Sequence, residues 1–410
     1  MLAVTHFSTA DTIGGSALSA WRIHHSLLER NVVSRMLVHH KASDDPTVDT
    51  THGGGLTEKA DRIALRLGDR LGRQYAWMAS TRRVLSHPWV QDADVIQLFN
   101  THTGTLATPT IAKLARIKPV VWRLSDMWLA TGHCAYAGDC PGWRTGCSPC
   151  PDLNSYPAIG IDRAGQLWEQ KRRLFASSRI TLVAPSSWAE EIVRTSPLTA
   201  HLPVRRIPNG IDLSRFSPGD KAQARASLGI PHAGPLILFS AQVADDNPRK
   251  GSELLKKALH GLGPAPDAGV LVVGHGGEKW QGQIPLPVFA TGYLNDPALI
   301  LAANRAADIM VAPSAVENLP NTVIEAIATG LPIVAFNAGG MKDAVIAGQT
   351  GLLAPVGDAE ALAQALASLL DDAQSRRRMG DNARLHALAE FDMAVEAERF
   401  IALYKELTAS

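Results

Sequence analysis

A chain of 410 residues exceeds what one ordinary hydrophobic core holds, so two domains are expected. With 46% hydrophobic and 19% charged residues the composition excludes a disordered protein, and no apolar run approaches the ~20 residues that span a bilayer. The net charge of +1 hides an asymmetry: residues 1–206 carry 24 Lys and Arg against 17 Asp and Glu, and residues 207–410 carry 16 against 22. The first half therefore suits an anionic partner, and because its basic residues form no DNA- or RNA-binding motif, nucleic acid is set aside.

In chain order, "MLAVTHFSTADTIGGSA" has neither a basic n-region nor a long apolar h-region, so a cytoplasmic chain is expected. "LAVTHF" reads as a buried strand before a helix from about Gly15, and "SRMLVHH", "DVIQLF", "PVVWRLS" and "ITLVAPS" follow as further strands. "VRRIPNGIDLSRFSPGD" (204–220) has no periodicity and reads as an interdomain connection. A second alternation follows, with strands in "PLILFSAQ", "GVLVVGHG", "DIMVAPS" and "LPIVAFN" and helices near 251–260, 296–306, 320–329 and 358–370. The tail "FDMAVEAERFIALYKELTAS" reads as an amphipathic helix. The fold class is α/β: two Rossmann-like domains, 1–206 and 207–392, with residues 393–410 returning to the first and a cleft between the two.

The stretch "APSAVENLPNTVIEAIATGLPIVAFNAGG" (312–340) carries the most chemistry. A strand should end near Pro313 and a helix begin near Pro320, whose fixed φ and missing N–H suit a first turn. The backbone N–H groups of Leu319, Asn321 and Thr322 would then form an anion site, with Glu317 and Glu325 placed to accept from sugar hydroxyls. An ordinary strand–loop–helix with two surface carboxylates has the same spacing.

The whole string resembles the nucleotide-sugar signature of family 4 retaining glycosyltransferases of the GT-B fold, and the resemblance extends over nearly the full chain. It implies a donor site that includes Asn318, Leu319, Asn321, Thr322 and Glu325, with Glu317 as a catalytic residue. "IGGSALSAWRIHHSLLERN" is similar to the family's first loop, where Gly14 and Gly15 let the backbone approach a diphosphate. "NPRKGSELLKKAL" is similar to its Lys-Gly element, which implies that Lys250 reaches the diphosphate. "TGYLND" makes Tyr293 a wall for the base, and "IPNGIDLSRFSP" matches the interdomain segment.

Two positions depart from the family. Gln242 stands where an Arg is usual, so Arg249 is expected to supply the charge. Ser125 stands where many members have His, which makes Asp126 the acceptor-side candidate; a turn cap is the alternative. "DAD" (92–94) reads as a solvated strand start, not a metal-binding acid pair.

The resemblance implies transfer with retention from a nucleotide diphosphate sugar to a glycan or lipid-linked acceptor in bacterial surface-polysaccharide assembly. The chemistry requires no cofactor or metal. A GT-B epimerase, a phosphorylase and a non-catalytic nucleotide-sugar-binding subunit are the other readings. "TEKADRIALRLGDRLGRQYAWMASTRRVL" (57–85) would set Ala60, Ile63, Ala64, Leu67, Leu71, Tyr75 and Met78 on one helical face among six arginines. That suits either an anionic membrane surface or packing on its own domain.

All four cysteines, Cys134, Cys140, Cys147 and Cys150, fall within "GHCAYAGDCPGWRTGCSPCP". The tight "GCSPCP" turn suits a structural Zn2+ held by four thiolates. Two local disulfides or unligated thiols fit the same spacing. Similar inserts in some relatives resemble metal sites.

Overall fold

The computed structural model describes residues 1–102, 104–176, 178–245, 247–262 and 267–409. The chain divides into two compact units, Met1–Pro208 with Met393–Ser410, and Asn209–Asp392.

The first unit is built on a seven-stranded parallel sheet of β1 (Ala3–Ala10), β2 (Val33–His40), β3 (Val48–Thr50), β4 (Val95–Leu98), β5 (Val120–Arg123), β6 (Ile180–Ala184) and β7 (Val204–Arg206). The spatial order is β3-β2-β1-β4-β5-β6-β7. Its central strands are short apolar runs buried on both faces, as a sheet covered by helices on each side requires. Strand order reverses between β1 and β4, so the loops after these two strands open at the point where such sheets bind ligands. The helix Met393–Ala409 belongs to this unit. Phe400, Leu403 and Tyr404 bury beside Val4 and Ile23, and the Tyr404 hydroxyl donates to Gln97 Oε1. The last residue of the expected tail helix, 410, lies outside the described residues.

The long amphipathic helix over 57–85 does not form. A helix runs from Gly55 to Arg70 and stops before Gly72, where φ is +63° and a Cβ would meet the Ile161 carbonyl oxygen at 2.4 Å. The chain turns through Tyr75 (φ 52°) before a short helix, Thr81–Ser86. Tyr75 and Met78 enter the core, whereas Ile63, Leu67 and Leu71 stay exposed, so the seven residues do not share one face.

The second unit is a six-stranded parallel sheet: β8 (Leu236–Val243), β9 (Gly269–His275), β10 (Val288–Gly292), β11 (Ile309–Ala312), β12 (Ile333–Phe336) and β13 (Gly351–Ala354). Its order is β10-β9-β8-β11-β12-β13. Here the reversal lies between β8 and β11. Apolar clusters cover both faces, one built on Val323, Ile324 and Ile327 and the other on Leu255, Leu362 and Leu366. The stretch 204–220 is only partly a connection: Val204–Arg206 pairs with β6 as an edge strand.

Candidate active site

In the second unit, the loops after β8 and β11 flank the reversal and meet there. After β8 the chain makes a single 3₁₀ turn, Pro248–Lys250, capped by Asn247, whose side chain accepts from the Lys250 N–H at 3.3 Å. Gly251 follows at φ 74°, and a Cβ there would lie 1.9 Å from the Pro313 carbonyl oxygen, so only glycine lets the two loops approach. The Ala315 N–H donates to the Arg249 carbonyl at 2.9 Å and fixes their register.

This contact delivers two cations to one carboxylate. Arg249 Nη1 donates to Glu317 Oε1 at 2.8 Å, and Lys250 Nζ donates to the same oxygen. Glu317 is 7% exposed. Burial alone would raise its carboxyl, but the charges of Lys250 and Arg249 outweigh that and hold it below the usual carboxylate range. The Arg249 side chain remains 39% exposed, so this corner keeps positive charge open to solvent.

Glu317 is held from behind by "NAGG". The Gly340 N–H donates to the Glu317 carbonyl at 3.0 Å, and Gly339 sits at φ +56°, where a Cβ would lie 1.9 Å from that same oxygen. Asn318 and Leu319 follow, both buried. The helix then runs Asn321–Ala328, one position after the expected start, with Pro320 as its cap (φ −73°, ψ 125°). No side chain caps this helix, so the N–H groups of Asn321 and Thr322 head an electropositive helix end beside Arg249 and Lys250. Glu325 lies one turn inside the helix, 6% exposed, and lines a small cavity with Thr322, Asn304 and Ser240. Tyr293, just past the end of β10, stacks on His275 at the end of β9, with centroids 5.1 Å apart and planes at 16°. Gln242 is exposed at the end of β8.

In the first unit, Gly14 (φ 93°) precedes the helix Gly15–Leu28, which also lacks a side-chain cap. Ser16 Oγ lies 2.7 Å from Ser125 Oγ, which ties this helix start to the end of β5. Asp126 has both roles considered for it. Its Oδ1 caps the turn by accepting from the Trp128 N–H at 2.9 Å, and its Oδ2 stands 3.3 Å from His102 Nε2. His102 is 2% exposed and stacks on Trp128 at 5.4 Å. Burial lowers its pKa more than the Asp126 charge raises it, so the ring is neutral at neutral pH. "DAD" lies where it was expected: Asp94 Oδ2 accepts from the Ala3 N–H at the start of β1, the opposite end of the strand from Gly14.

The four cysteines are free and half-buried in the irregular stretch after Asp126. Among the described residues, the one trio of His, Cys, Asp or Glu ligand atoms within 4.8 Å of one another is His24, His25 and Asp45. Both His24 nitrogens are already engaged there, by Ser34 at 2.7 Å and Thr47 at 2.8 Å.

Three contributors escaped sequence reasoning. Asn209, in "IPNGID", donates through Nδ2 to the Leu319 carbonyl at 3.2 Å and to Asn321 Oδ1 at 3.1 Å, pinning the helix start. His275 backs Tyr293, and His102 faces Asp126. The available signal was a His at or shortly after the carboxyl end of an apolar strand, in "VVGHG" and "LFNTH".

Each unit is thus a parallel Rossmann-like sheet, and the second presents a buried carboxylate between two cations at its switch point. Residues 220–386, within the second unit, match the family model "Glycosyl transferases group 1". Among curated proteins the chain is similar to the putative colanic acid biosynthesis glycosyl transferase WcaC of Escherichia coli strain K12, with 30% identity covering 55% of this chain and 53% of that one. It is also similar to the D-inositol 3-phosphate glycosyltransferase of Corynebacterium glutamicum, with 35% identity covering 49% and 51%. The chain thus spans about half the length of the curated relatives it matches. Over its full length it shares the GT-B fold of sucrose-phosphate synthase from Thermosynechococcus elongatus (TM-score 0.72, 19% identity, 100% of both chains). HepE from Anabaena, solved with UDP and glucose, has the same fold (TM-score 0.70, 17% identity, 99% of this chain and 100% of that one).

Proposed function

We propose that this chain transfers a hexosyl group, with retention, from a nucleoside diphosphate sugar to a hydroxyl of a glycan or lipid-linked acceptor. The observation that carries the reading is the joining of Arg249, Lys250 and Glu317 beside the uncapped helix start at Asn321. Cleaving the C1–O bond leaves negative charge on the diphosphate, and fixed donors aimed at that charge supply most of the stabilisation. Lys250, Arg249 and the N–H groups of Asn321 and Thr322 are such donors. Glu317 holds both cations in place and accepts from a sugar hydroxyl with its remaining lone pairs. Tyr293 on His275 offers a flat wall for the base, and Glu325 a carboxylate for the ribose. Asp126 serves the acceptor side, and the leaving phosphate oxygen takes the acceptor proton. This chemistry asks for no cofactor, and the four cysteines stand outside it.

The test is a panel of UDP- and GDP-sugars, read first by thermal shift, since a donor that binds the folded state stabilises it by mass action. Release of nucleoside diphosphate and its stimulation by sugar acceptors are read second. A panel that neither stabilises nor turns over refutes the transferase reading, and interconversion of the donor sugar without acceptor would make the chain an epimerase.

A membrane-borne acceptor is supported by the helix Gly55–Arg70. Leu56, Ile63 and Leu67 are 84%, 59% and 51% exposed, interleaved with Arg62, Arg66 and Arg70, and Trp77 is exposed nearby. Apolar side chains among arginines are the chemistry of an anionic interface. No helix among the described residues is long and apolar enough to cross a membrane. Sedimentation with phosphatidylglycerol vesicles should carry the protein down at low salt, and Leu67→Glu should release it; a chain that stays in the supernatant at low salt has no such face.

A further inference from the structure

We infer that Tyr156 and Asp126 form a subsite for one sugar ring of the acceptor, with His102 as the residue that positions the Asp126 carboxylate. That the ring belongs to an acceptor rests on the transferase reading, whereas its binding is measured without turnover.

Tyr156 is 60% exposed, but its backbone is fixed from below. Its carbonyl accepts from the Ala135 N–H at 2.6 Å, and the Ala135 carbonyl accepts from the Met127 N–H at 2.8 Å, which ties Tyr156 to the residue after Asp126. Buried Gln74 donates through Nε2 to the Pro157 carbonyl at 3.1 Å and to the Ala158 carbonyl at 2.9 Å. His133, also buried, has its Nδ1 2.9 Å from the same Pro157 oxygen. A single exposed aromatic ring needs no explanation by itself. This one stands on a support with little freedom left to lose, which is how a binding surface keeps its affinity.

The carboxylate supplies the second half. His102 follows β4 and Asp126 follows β5, neighbouring strands at the ligand edge of the first sheet. Asp126 Oδ1 is taken by the Trp128 N–H, but Oδ2 accepts no hydrogen bond among the described residues beyond its contact with His102 Nε2. The side chain is 10% exposed, so one edge reaches solvent. The same imidazole meets the Tyr156 ring edge to face, with centroids 6.0 Å apart and planes at 65°. Phenol ring and free carboxylate oxygen therefore border one histidine. That pairing fits a pyranose: its C–H face rests on the negative face of the aromatic ring, and a hydroxyl at its rim donates to the carboxylate.

His102 itself is too deeply buried to touch a ligand and acts through Asp126. Of its two neutral tautomers, only the one with the proton on Nε2 turns a positive edge toward Oδ2; the other would set a lone pair against the charge. Trp128 stacks on the ring, and Lys171 Nζ lies 3.5 Å from the Trp128 centroid while donating to the carbonyls of Trp128, Thr131 and Gly132. Burial first, and the Lys171 charge in addition, oppose protonation of His102 against the pull of Asp126. A neutral donor fixes the carboxylate without cancelling its charge, so Asp126 stays an acceptor for a sugar hydroxyl.

The test uses the full chain and the methyl glycosides of glucose, galactose, mannose and N-acetylglucosamine as probes, read by NMR on ring-labelled tyrosine. The chain has five tyrosines, and Tyr156→Ala identifies the signal to follow. At least one glycoside should shift that signal, with binding weakened about tenfold or more in Tyr156→Ala and held within about threefold in Tyr156→Phe. Imidazole nitrogen spectra should place the His102 proton on Nε2, and His102→Gln, which keeps an N–H donor, should bind more tightly than His102→Leu. Equal binding by those two, or a proton on Nδ1, overturns the positioning role; should His102→Leu fail to fold, the tautomer alone decides. No shift of the Tyr156 signal by any glycoside at about 50 mM, or unchanged binding by Tyr156→Ala, overturns the subsite. Loss of vesicle sedimentation in Tyr156→Ala with glycoside binding intact also overturns it and makes the ring a membrane anchor. Glycoside binding by a chain that no nucleoside diphosphate sugar stabilises leaves the subsite standing and refutes the transferase reading.

Discussion

Lys250→Ala tests the donor site most directly. The side chain is 19% exposed and shares Glu317 Oε1 with Arg249, so its removal has two separable effects. The first is catalytic: loss of one fixed donor to a developing oxyanion typically costs ~2.7–4 kcal/mol of transition-state stabilisation, a roughly 100- to 1,000-fold fall in kcat. The second is electrostatic. Glu317 keeps only Arg249, and its carboxyl, now held below the usual range against the effect of burial, must rise. A carboxyl with a depressed folded-state pKa contributes stability that is present above its unfolded value and lost as pH falls through the folded one. The variant lacks an attraction that exists only while Glu317 is ionised, so its melting temperature falls below that of the unaltered chain more at pH 7.5 than at pH 4.5, where protonation of Glu317 narrows the gap. The assays are release of nucleoside diphosphate under saturating donor and thermal melts at the two pH values. Turnover within about threefold of the unaltered chain, too small a change for a lost oxyanion donor, would refute the role given to Lys250.

Gly339→Ala should destabilise the second unit by about 1–3 kcal/mol in urea unfolding, since its Cβ would lie 1.9 Å from the Glu317 carbonyl oxygen at φ +56°. Gly348→Ala, also at positive φ but in open space, should cost less, and equal costs would contradict the clash. Asn209→Ala removes two hydrogen bonds at the helix start and should cost about 1–3 kcal/mol while raising the donor KM; an unchanged KM would mean that Asn209 does not set the anion site. His24 is buried and its pKa lowered from 6.5 to about 4, chiefly by burial, so the first unit should lose stability as pH falls from 6.5 toward 4. His24→Gln should flatten that slope, and a slope unchanged in the variant would show that other groups set it.

The parallel strands of both units were legible because buried β-rich runs between helical patterns have one economical solution, two covered parallel sheets. Gly14, Gly15 and the 312–340 string were legible because they combine glycines with a strand-to-helix change. The helix over 57–85 was misread because periodicity reports which side chains could share a face. It does not report that Gly72 must turn under Ile161 and so carry Tyr75 and Met78 into the core. The short edge strands, such as Val204–Arg206, were missed because three residues hold no pattern of their own and owe their state to a neighbouring strand.

The sequence by itself determined the class of fold, the separation into a basic and an acidic half, and the residue types that the candidate site draws on. Only the tertiary structure decided which of them meet. Arg249 and Lys250 reach Glu317 across 68 and 67 positions of chain because two loops converge at the β8–β11 reversal, and Asn209 reaches Leu319 across 110. Such pairings follow from strand order and from the close backbone approach that Gly251 and Gly339 allow, and neither is encoded in local periodicity.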